Sequence, residues 1–310
     1  MPLLCHTGDV SVILVVISRK WRVEHIDIHV HDPDLPALVD IRMTNEKWIG
    51  GGPLSDYSAH CPNPATTLTM PQTYNKAFIP LESNPDVFNE LIALLGASPS
   101  IQFRDIFTLD DPASLPQKIL ALVLVFPTTA TFEARLTQEE AGAKDWMVEH
   151  DEEEEDAVWF KQTINNACGL YAILHALANG RAKDFLRPAS LLDNLLSIAA
   201  PMDPAQAAMV LEGSQELEDA YASVATKGDT AAPDSAEEDV NYHYICYVKS
   251  PDTGHLYELD GDRKGPVDRG VPDEEEKVDL GAKSLDIVRR FIAQGGGDIG
   301  FNLMALVENS

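Results

Sequence analysis

The chain has 310 residues and a mass of 34.0 kDa, and its 50 acidic residues against 23 lysines and arginines give a formal net charge of −27. A protein that binds nucleic acid through phosphate contacts needs clustered basic residues, so this charge argues against that class. The 45% of hydrophobic residues suffices for one or two cores, which argues against overall disorder. Four cysteines are too few for a disulfide scaffold and indicate a reducing compartment.

Membrane insertion and secretion are both disfavoured by the apolar runs. The longest, Val10 to Ile17 and Ile119 to Phe126, are far shorter than the roughly 20 residues that span a bilayer. No basic segment precedes the first run, as a signal peptide would require. We therefore expect a cytoplasmic protein, with the nucleus as a second location left open, and neither nucleic acid nor membrane as partner.

The first 75 residues differ from the rest of the chain. They hold five of the nine histidines, and regular patterning fades after about residue 32. His25, Asp27, His29 and His31 alternate as they would on one face of a strand, and such a face can hold a divalent metal. No second ligand cluster follows downstream, so a polar strand face or a disordered arm is favoured and no metal site is predicted. We predict an N-terminal extension, 1–75, of uncertain order.

The second predicted domain, 76–310, opens with two regular elements. Asn84-Pro85-Asp86 is typical of a helix start, apolar residues follow at helical spacing, and Gly96 ends the pattern. Ile119 to Phe126 is an unbroken apolar run ended by Pro127, as in a strand buried on both faces. The acidic run from His150 to Asp156 is expected to form a solvated loop.

Residues 158–180 carry the strongest indication of chemistry. A strand-like run, Val158 to Phe160, leads into a polar turn and then into a helix that begins near Ala167. Cys168 lies at the helix start, where the helix dipole favours a thiolate nucleophile. Gln162 can direct its amide toward the same helix start and form an oxyanion hole with the backbone N–H of Cys168. Taken alone, Cys168 could equally be a small apolar residue of the helix.

A long loop and a hairpin follow. Residues 222–239 are small, polar and acidic without apolar periodicity, which predicts a flexible loop of the kind that often covers an active site. Two strand-like runs, 241–248 and 255–260, flank a turn at residues 250–253. In a hairpin with that turn, His243 faces Asp260 directly, at a Cβ separation of about 4.5–5.5 Å. A slip of one residue would remove this pairing, so the prediction depends on register.

His243 is the best candidate for a general base, with Asp260 as its orienting group. Taken alone, His243 could be a half-buried strand histidine. The competing groups fare worse: His175 lies two helical turns from Cys168, roughly 10 Å away. His255 points to the opposite face from Asp260, and Cys246 to the opposite face from His243, where it belongs to the core. A short helix over residues 285–292 and a strand over 299–307 complete the chain.

Two separated motifs, in this order, resemble the ubiquitin carboxyl-terminal hydrolases, a papain-like family that cleaves after the C-terminal glycine of ubiquitin. They are KQTINNACGLYAILHALANG and NYHYICYVKSPDTGHLYELDGDRKGPVDRG. Smaller similarities at residues 101–126 and 301–307 extend the resemblance over about residues 76–310. It implies an α+β fold with a papain-like cysteine peptidase core, a mostly antiparallel sheet flanked by helices, an active-site crossover loop and a knotted chain path.

The resemblance implies a role for each candidate residue. Cys168 is the nucleophile, His243 the general base and proton donor, Asp260 its orienting group and Gln162 the oxyanion donor. No cofactor is implied, and 222–239 matches the crossover loop that limits the size of the group attached to ubiquitin. Asn165 stands where the family usually has glycine, and asparagine tolerates left-handed backbone better than most residues.

The implied partner is ubiquitin, with a Nedd8-like modifier left open, and the enzyme is expected to be a small, free-standing monomer. Two rival functions remain at this point. One is a ubiquitin-binding module with little turnover, and the other is a metal-dependent hydrolase built on His25, His29 and His31.

Overall fold

The computed structural model describes residues 74–309 except 110–114, 117, 148–155, 239, 272–279 and 295–299, and five short strands between residues 11 and 42. The chain divides into two compact units, Met1–Pro71 and Gln72–Ser310. Each unit builds its own sheets.

The described part of the first unit consists of short antiparallel strands. They are β1 Ser11–Ile13, β2 Ile17–Ser18, β3 Trp21–Arg22, β4 His25–His29 and β5 Leu38–Arg42. β4 is the middle strand of a sheet in the order β1-β4-β5, and β2 pairs with β3. The strand proposed for His25, Asp27 and His29 is therefore present, whereas His31 lies outside the described residues.

The second unit combines helices and strands. Its described strands are β6 Lys76–Ala77, β7 Ile101–Asp105, β8 Ile119–Pro127, β9 Ile164–Asn165, β10 Tyr242–Lys249, β11 Leu256–Leu259, β12 Val267–Asp268 and β13 Asn302–Glu308. Its described helices are α1 Pro85–Leu95, α2 Ala130–Glu140, α3 Cys168–Ala178, α4 Leu191–Ala199, α5 Pro204–Gly213, α6 Gln215–Ala225 and α7 Ala282–Gln294, with a 3-10 turn at Ala182–Phe185.

A six-stranded antiparallel sheet, in the order β12-β11-β10-β8-β13-β7, separates two layers of helices. β8 lies inside this sheet, and its side chains alternate between two hydrophobic clusters. Val123 and Val125 face the cluster that contains α1 and α3, and Leu122 and Leu124 face the cluster that contains α2 and α7. The prediction of a strand buried on both faces is confirmed, as is the α+β class with a mostly antiparallel sheet.

The capping signals at α1 act as predicted. The side chain of Asn84 accepts a hydrogen bond from the backbone N–H of Asp86 at 2.9 Å, and Pro85 opens the helix. Gly96 ends it in the left-handed conformation, at φ 111°.

The prediction of a strand at Val158 to Phe160 is wrong. The backbone N–H groups of this segment donate to side chains at the end of α3, where a strand would bind a neighbouring strand. The N–H of Val158 donates to Asn179 Oδ1 at 2.7 Å, and that of Phe160 donates to His175 Nε2 at 3.0 Å. The β propensity of these residues could not reveal that a helix would supply the acceptors.

The predicted loop 222–239 is shorter than its composition suggested. α6 continues to Ala225, because Leu217, Tyr221 and Val224 lie at helical spacing and pack into the core. The loop therefore begins at Thr226, and we call residues 226–238 the crossover segment.

Candidate active site

Cys168 is the first residue of α3 and lies at a pocket. All eleven residues of this helix are buried. The nearly continuous apolar sequence of α3 places it between the sheet and the outer helices, in the larger of the two hydrophobic clusters. The thiol lines a pocket of about 380 Å³, together with Leu81, Val125 and Tyr244. A nucleophile at this position is held by the core yet borders a space that can admit substrate.

His243 and Asp260 form a buried pair beside this pocket. His243 Nε2 lies 2.7 Å from Asp260 Oδ1, and the two side chains are 10% and 1% exposed. Burial alone would lower the pKa of His243, but the charge and hydrogen bond of Asp260 raise that pKa well above its usual range. Burial would likewise raise the pKa of Asp260, but the charge of His243 lowers it. The pair is therefore arranged to hold an imidazolium.

The register of the hairpin differs from the predicted one by two residues. β10 and β11 pair Cys246 with Leu259 and Lys249 with Leu256, and the connection extends to His255 rather than ending at Thr253. The predicted direct facing of His243 and Asp260 is therefore wrong. A shift of two preserves the face on which each side chain lies, so Asp260 still reaches the imidazole from just beyond the end of β11.

Cys168 and a second carboxylate approach the same imidazole. The Cys168 side chain lies close enough to His243 to contribute to its raised pKa. Because Nε2 is occupied by Asp260, Nδ1 is the nitrogen available to the thiol. Asp262 Oδ2 lies 3.8 Å from that Nδ1. Asp262 was not predicted from the sequence, and its closeness in sequence to Asp260 was the usable signal, because the period of a strand does not extend into the turn at residues 261 and 262.

Gln162 is buried and is held against the loop that carries Asp260. Its backbone N–H donates to Gly261 O at 2.9 Å, and its side-chain Nε2 donates to Ile164 O at 3.1 Å. A Cβ at Gly261 would lie 2.8 Å from Gln162 Cβ, so only glycine fits this approach. Trp159 adds a second link, because its Nε1 donates to Asp260 O at 2.9 Å.

The left-handed residue of the turn before Cys168 is Asn166, at φ 58°, and not Asn165 as expected. Asn165 instead belongs to β9, whose parallel pairing with β6 keeps it extended. The side chain of Asn166 binds the crossover segment, since its Nδ2 donates to Ala236 O at 2.9 Å and to Glu238 O at 2.8 Å.

Glu82 binds the other end of the crossover segment, a role that no sequence pattern indicated. Its carboxylate accepts hydrogen bonds from Asp229 N at 3.1 Å and from Thr230 N at 2.7 Å, and a further one from the Thr230 hydroxyl. Burial opposes ionisation, but these hydrogen bonds together outweigh it and lower the pKa of Glu82 to about 2. Glu82, Asn166 and Thr230 all line the Cys168 pocket, so the segment covers it.

The other candidate groups lie where the sequence placed them. His175 is fully buried, accepts from the backbone of Phe160, and has its pKa lowered to about 4 by burial. His255 pairs with Asp268 at 2.7 Å near the hairpin turn. Cys246 is buried in the core, where burial raises the pKa of its thiol.

Two other kinds of site are absent from the described residues. Among their side chains, no group of three or more histidines, cysteines or carboxylates is placed to hold a metal ion. No helix in the described ranges has the length and apolar character needed to cross a membrane.

A thiol opening a buried helix, with an imidazole and then a carboxylate following on the adjoining sheet, is the arrangement of the papain-like cysteine peptidases. The family described as "Ubiquitin carboxyl-terminal hydrolase, family 1" matches residues 78–293. The chain is 32% identical over 240 residues to ubiquitin carboxyl-terminal hydrolase 3 of Arabidopsis thaliana, covering 76% of this chain and 96% of that protein. It is also 32% identical over 235 residues to isozyme L1 of Rattus norvegicus, covering 74% and 97%. The chain therefore belongs to the ubiquitin carboxyl-terminal hydrolase family.

A solved structure supports the same fold. The catalytic domain of UCH37 from Trichinella spiralis, determined bound to ubiquitin vinyl methyl ester, superimposes with a TM-score of 0.57 at 22% identity. The match covers 77% of this chain and 98% of that domain. The predicted papain-like fold is thereby confirmed.

Proposed function

We propose that this chain is a thiol-dependent hydrolase that cleaves ester, thioester, amide and peptide bonds at the C-terminal glycine of ubiquitin. The observation that carries the proposal is the shared imidazole: His243 lies 2.7 Å from Asp260 and close enough to Cys168 for the thiol to raise the pKa of the imidazole. Family membership supplies the substrate, because the relatives are named for ubiquitin.

In this mechanism the proton of the Cys168 thiol passes to Nδ1 of His243, and the thiolate attacks the carbonyl carbon of the glycine. The backbone N–H of Cys168 and the amide of Gln162 stabilise the oxyanion, and one such donor is worth about 10²–10³-fold in kcat. His243 then gives its proton to the leaving amine or alcohol. Water, deprotonated by the same imidazole, hydrolyses the acyl-enzyme and regenerates the thiol.

The crossover segment is proposed to limit which conjugates are cleaved. Residues 226–238 are held at both ends, by Glu82 and by Asn166, over the pocket that Cys168 lines. A leaving group must pass this segment, so small adducts and unfolded peptides are favoured over folded conjugates. We further propose a monomeric enzyme that acts in the cytoplasm, with the nucleus as a second location.

Covalent labelling tests the proposal. The protein is incubated with ubiquitin vinyl methyl ester, and the modified residue is identified by mass spectrometry; we expect rapid adduct formation at Cys168. Cys168→Ala should form no adduct while still binding ubiquitin. Ubiquitin binding without labelling of the wild-type chain would overturn the enzyme proposal in favour of a binding module.

Two further arms complete the design. The same ester made from Nedd8 measures modifier preference, and labelling slower than that by ubiquitin is expected. A chelator should not change the cleavage of a ubiquitin C-terminal fluorophore, whereas activity that is lost with chelator but insensitive to thiol alkylation would support the metal-dependent alternative.

A further inference from the structure

Asp262 places a second carboxylate on the catalytic histidine. Its Oδ2 lies 3.8 Å from Nδ1 of His243, on the ring edge opposite to the one that Asp260 occupies. The backbone N–H of Asp262 donates to Asp260 Oδ1 at 2.9 Å, so the same oxygen that faces His243 Nε2 also holds the backbone of Asp262. The imidazole therefore lies between two carboxylates at its two nitrogens.

The position of Asp262 is set by groups from two other segments. Tyr74, just before β6, donates its hydroxyl to Asp262 Oδ1 at 3.3 Å. Lys161, before α3, donates from Nζ to the backbone carbonyl of Asp262 at 2.8 Å. Arg263 lies 4.0 Å from Asp260 Oδ2 and so acts on the other carboxylate.

The charges facing the imidazole are thus Asp260, Asp262 and the thiolate of Cys168 when it forms, with Lys161 and Arg263 behind the carboxylates. The Asp262 side chain is 34% exposed, which leaves it partly solvated but close to the reacting atoms. Burial and the charge of Asp260 raise the pKa of Asp262, while His243 and Lys161 oppose the rise.

We propose that Asp262 is a positioning residue that acts through His243, stabilising its imidazolium form from the thiol side and so setting the pH range of the thiolate–imidazolium pair. This inference rests on the proposed function, since it concerns the same thiol and base. No such role follows from the two sequence motifs alone, because it depends on the distance between the two side chains.

The proposed role has a definite sign. A negative charge beside Nδ1 favours the imidazolium, so the proton is lost only at higher pH. The same charge opposes formation of a thiolate close by, so the reactive pair also forms only at higher pH. Removing the charge should therefore move both limbs of the bell-shaped profile of kcat/KM against pH toward lower pH.

The test compares Asp262→Asn with Asp268→Asn. Asp268 is a matched control, because it also lies within 2.7 Å of a histidine, His255, but far along the hairpin and 46% exposed. For Asp262→Asn we expect both limbs to shift down by about 0.5–1 pH unit, a size reduced by solvent screening. Asp262→Glu keeps the charge and should restore the limbs toward the wild-type positions, and Asp268→Asn should leave them unchanged.

A second readout separates this inference from the proposed function. The rate of alkylation of Cys168 by iodoacetamide, followed on its own peptide by mass spectrometry, reports the thiolate without any ubiquitin. A downward shift of its pH dependence in Asp262→Asn supports the inference even if no ubiquitin substrate is cleaved. The inference would be overturned if neither pH profile shifts in Asp262→Asn, or if Asp268→Asn shifts the profiles equally. A loss of rate at every pH without a shift would also contradict it, because Asp262 would then have only a structural role.

Discussion

Two histidine–carboxylate pairs lie toward opposite ends of the hairpin formed by β10 and β11. His243 with Asp260 and His255 with Asp268 have the same separation of 2.7 Å. The side chains of the first pair are 10% and 1% exposed, whereas those of the second are 36% and 46% exposed. Equal geometry therefore occurs in two environments with very different electrostatic strength.

The difference shows that a short contact between an imidazole and a carboxylate does not by itself define a catalytic site. Of these two pairs, the buried one borders a thiol. There a second carboxylate, that of Asp262, also approaches Nδ1, the imidazole nitrogen that Asp260 does not contact. Solvent screens the exposed pair, so its contribution to stability is small. The following expectations test this contrast, beginning with the largest effect.

Replacement of each histidine by alanine should separate the pairs most strongly. His243→Ala removes the base and proton donor, so kcat/KM for a ubiquitin C-terminal fluorophore should fall on the order of 10³–10⁴-fold. His255→Ala should keep wild-type kinetics, because that pair is exposed and lies toward the other end of the hairpin. Comparable losses in the two variants would remove the basis of the contrast.

Replacement of the carboxylates should give a smaller difference. Asp260→Asn is expected to lower kcat/KM on the order of 10²-fold, less than the loss of the imidazole, because Asp262 still faces the ring. In the double variant Asp260→Asn, Asp262→Asn the loss should exceed the product of the single losses, as expected for two groups that share one partner. Independent, multiplicative effects would contradict a shared role.

A third histidine, with no carboxylate partner, extends the comparison to protein stability. Burial lowers the pKa of His175 to about 4, so between pH 4 and 6.5 the unfolded chain binds a proton that the folded chain does not. Stability from this residue is therefore present at neutral pH and lost as the pH falls from about 6.5 to about 4, by roughly 3 kcal/mol. Urea unfolding at pH 7 and pH 4.5 measures it, and His175→Gln should lose less on acidification than the wild-type chain does.

Weakening the hydrogen bonds that hold the crossover segment allows the thiol of Cys168 to be compared in a more covered and a less covered state. Asn166→Gly keeps the left-handed turn but removes both side-chain bonds, and Glu82→Gln weakens the bonds to residues 229 and 230. Each should increase cleavage of bulky ubiquitin conjugates by about 3–10-fold relative to small adducts, and should speed limited proteolysis within the segment. Glu308→Gln is the matched control, because Glu308 pairs with Lys118 and Arg181 and not with the crossover segment, and we expect unchanged selectivity.

A change in salt concentration should have the smallest effect on kcat/KM. It should act on surface charges and not on the buried pair of His243 and Asp260. Residues 1–75 hold five bases and eight acids, so −24 of the net charge of −27 lies in residues 76–310. If this charge steers a basic substrate tail, kcat/KM should fall severalfold between low and physiological salt while the pH limbs stay in place. A salt-independent kcat/KM would assign the charge to solubility alone.

Much of the site could be predicted because its signals are local. The start of α3 at Cys168 follows from helical periodicity after a polar turn, and the common face of His243 and Asp260 follows from the two-residue period of a strand. Family resemblance led to the same four residues. Their roles stay predictions until kinetics test them, and so does the domain boundary near residue 75.

The errors of prediction involve partners that are distant in sequence. Val158 to Phe160 has β propensity, but Asn179 and His175 provide its hydrogen bonds. The hairpin closes two residues later than the turn signal indicated. Asp260 still reaches His243, because a register shift of two residues leaves each side chain on the same face of the sheet. Glu82 and Asn166 lie on separate segments, so their joint hold on the crossover segment had no sequence pattern to reveal it.

The sequence by itself determined the helix caps at Asn84 and Gly96, the two-sided burial of β8, the position of Cys168 and the side of the sheet that His243 occupies. These depend on short periods and on single-residue conformational preferences. Tertiary structure alone decided the hairpin register, the approach of Asp262 to the imidazole and the closure of the segment over the thiol. Each of these depends on a distance of a few ångströms between segments far apart in the chain, and such distances are set by packing of the whole domain.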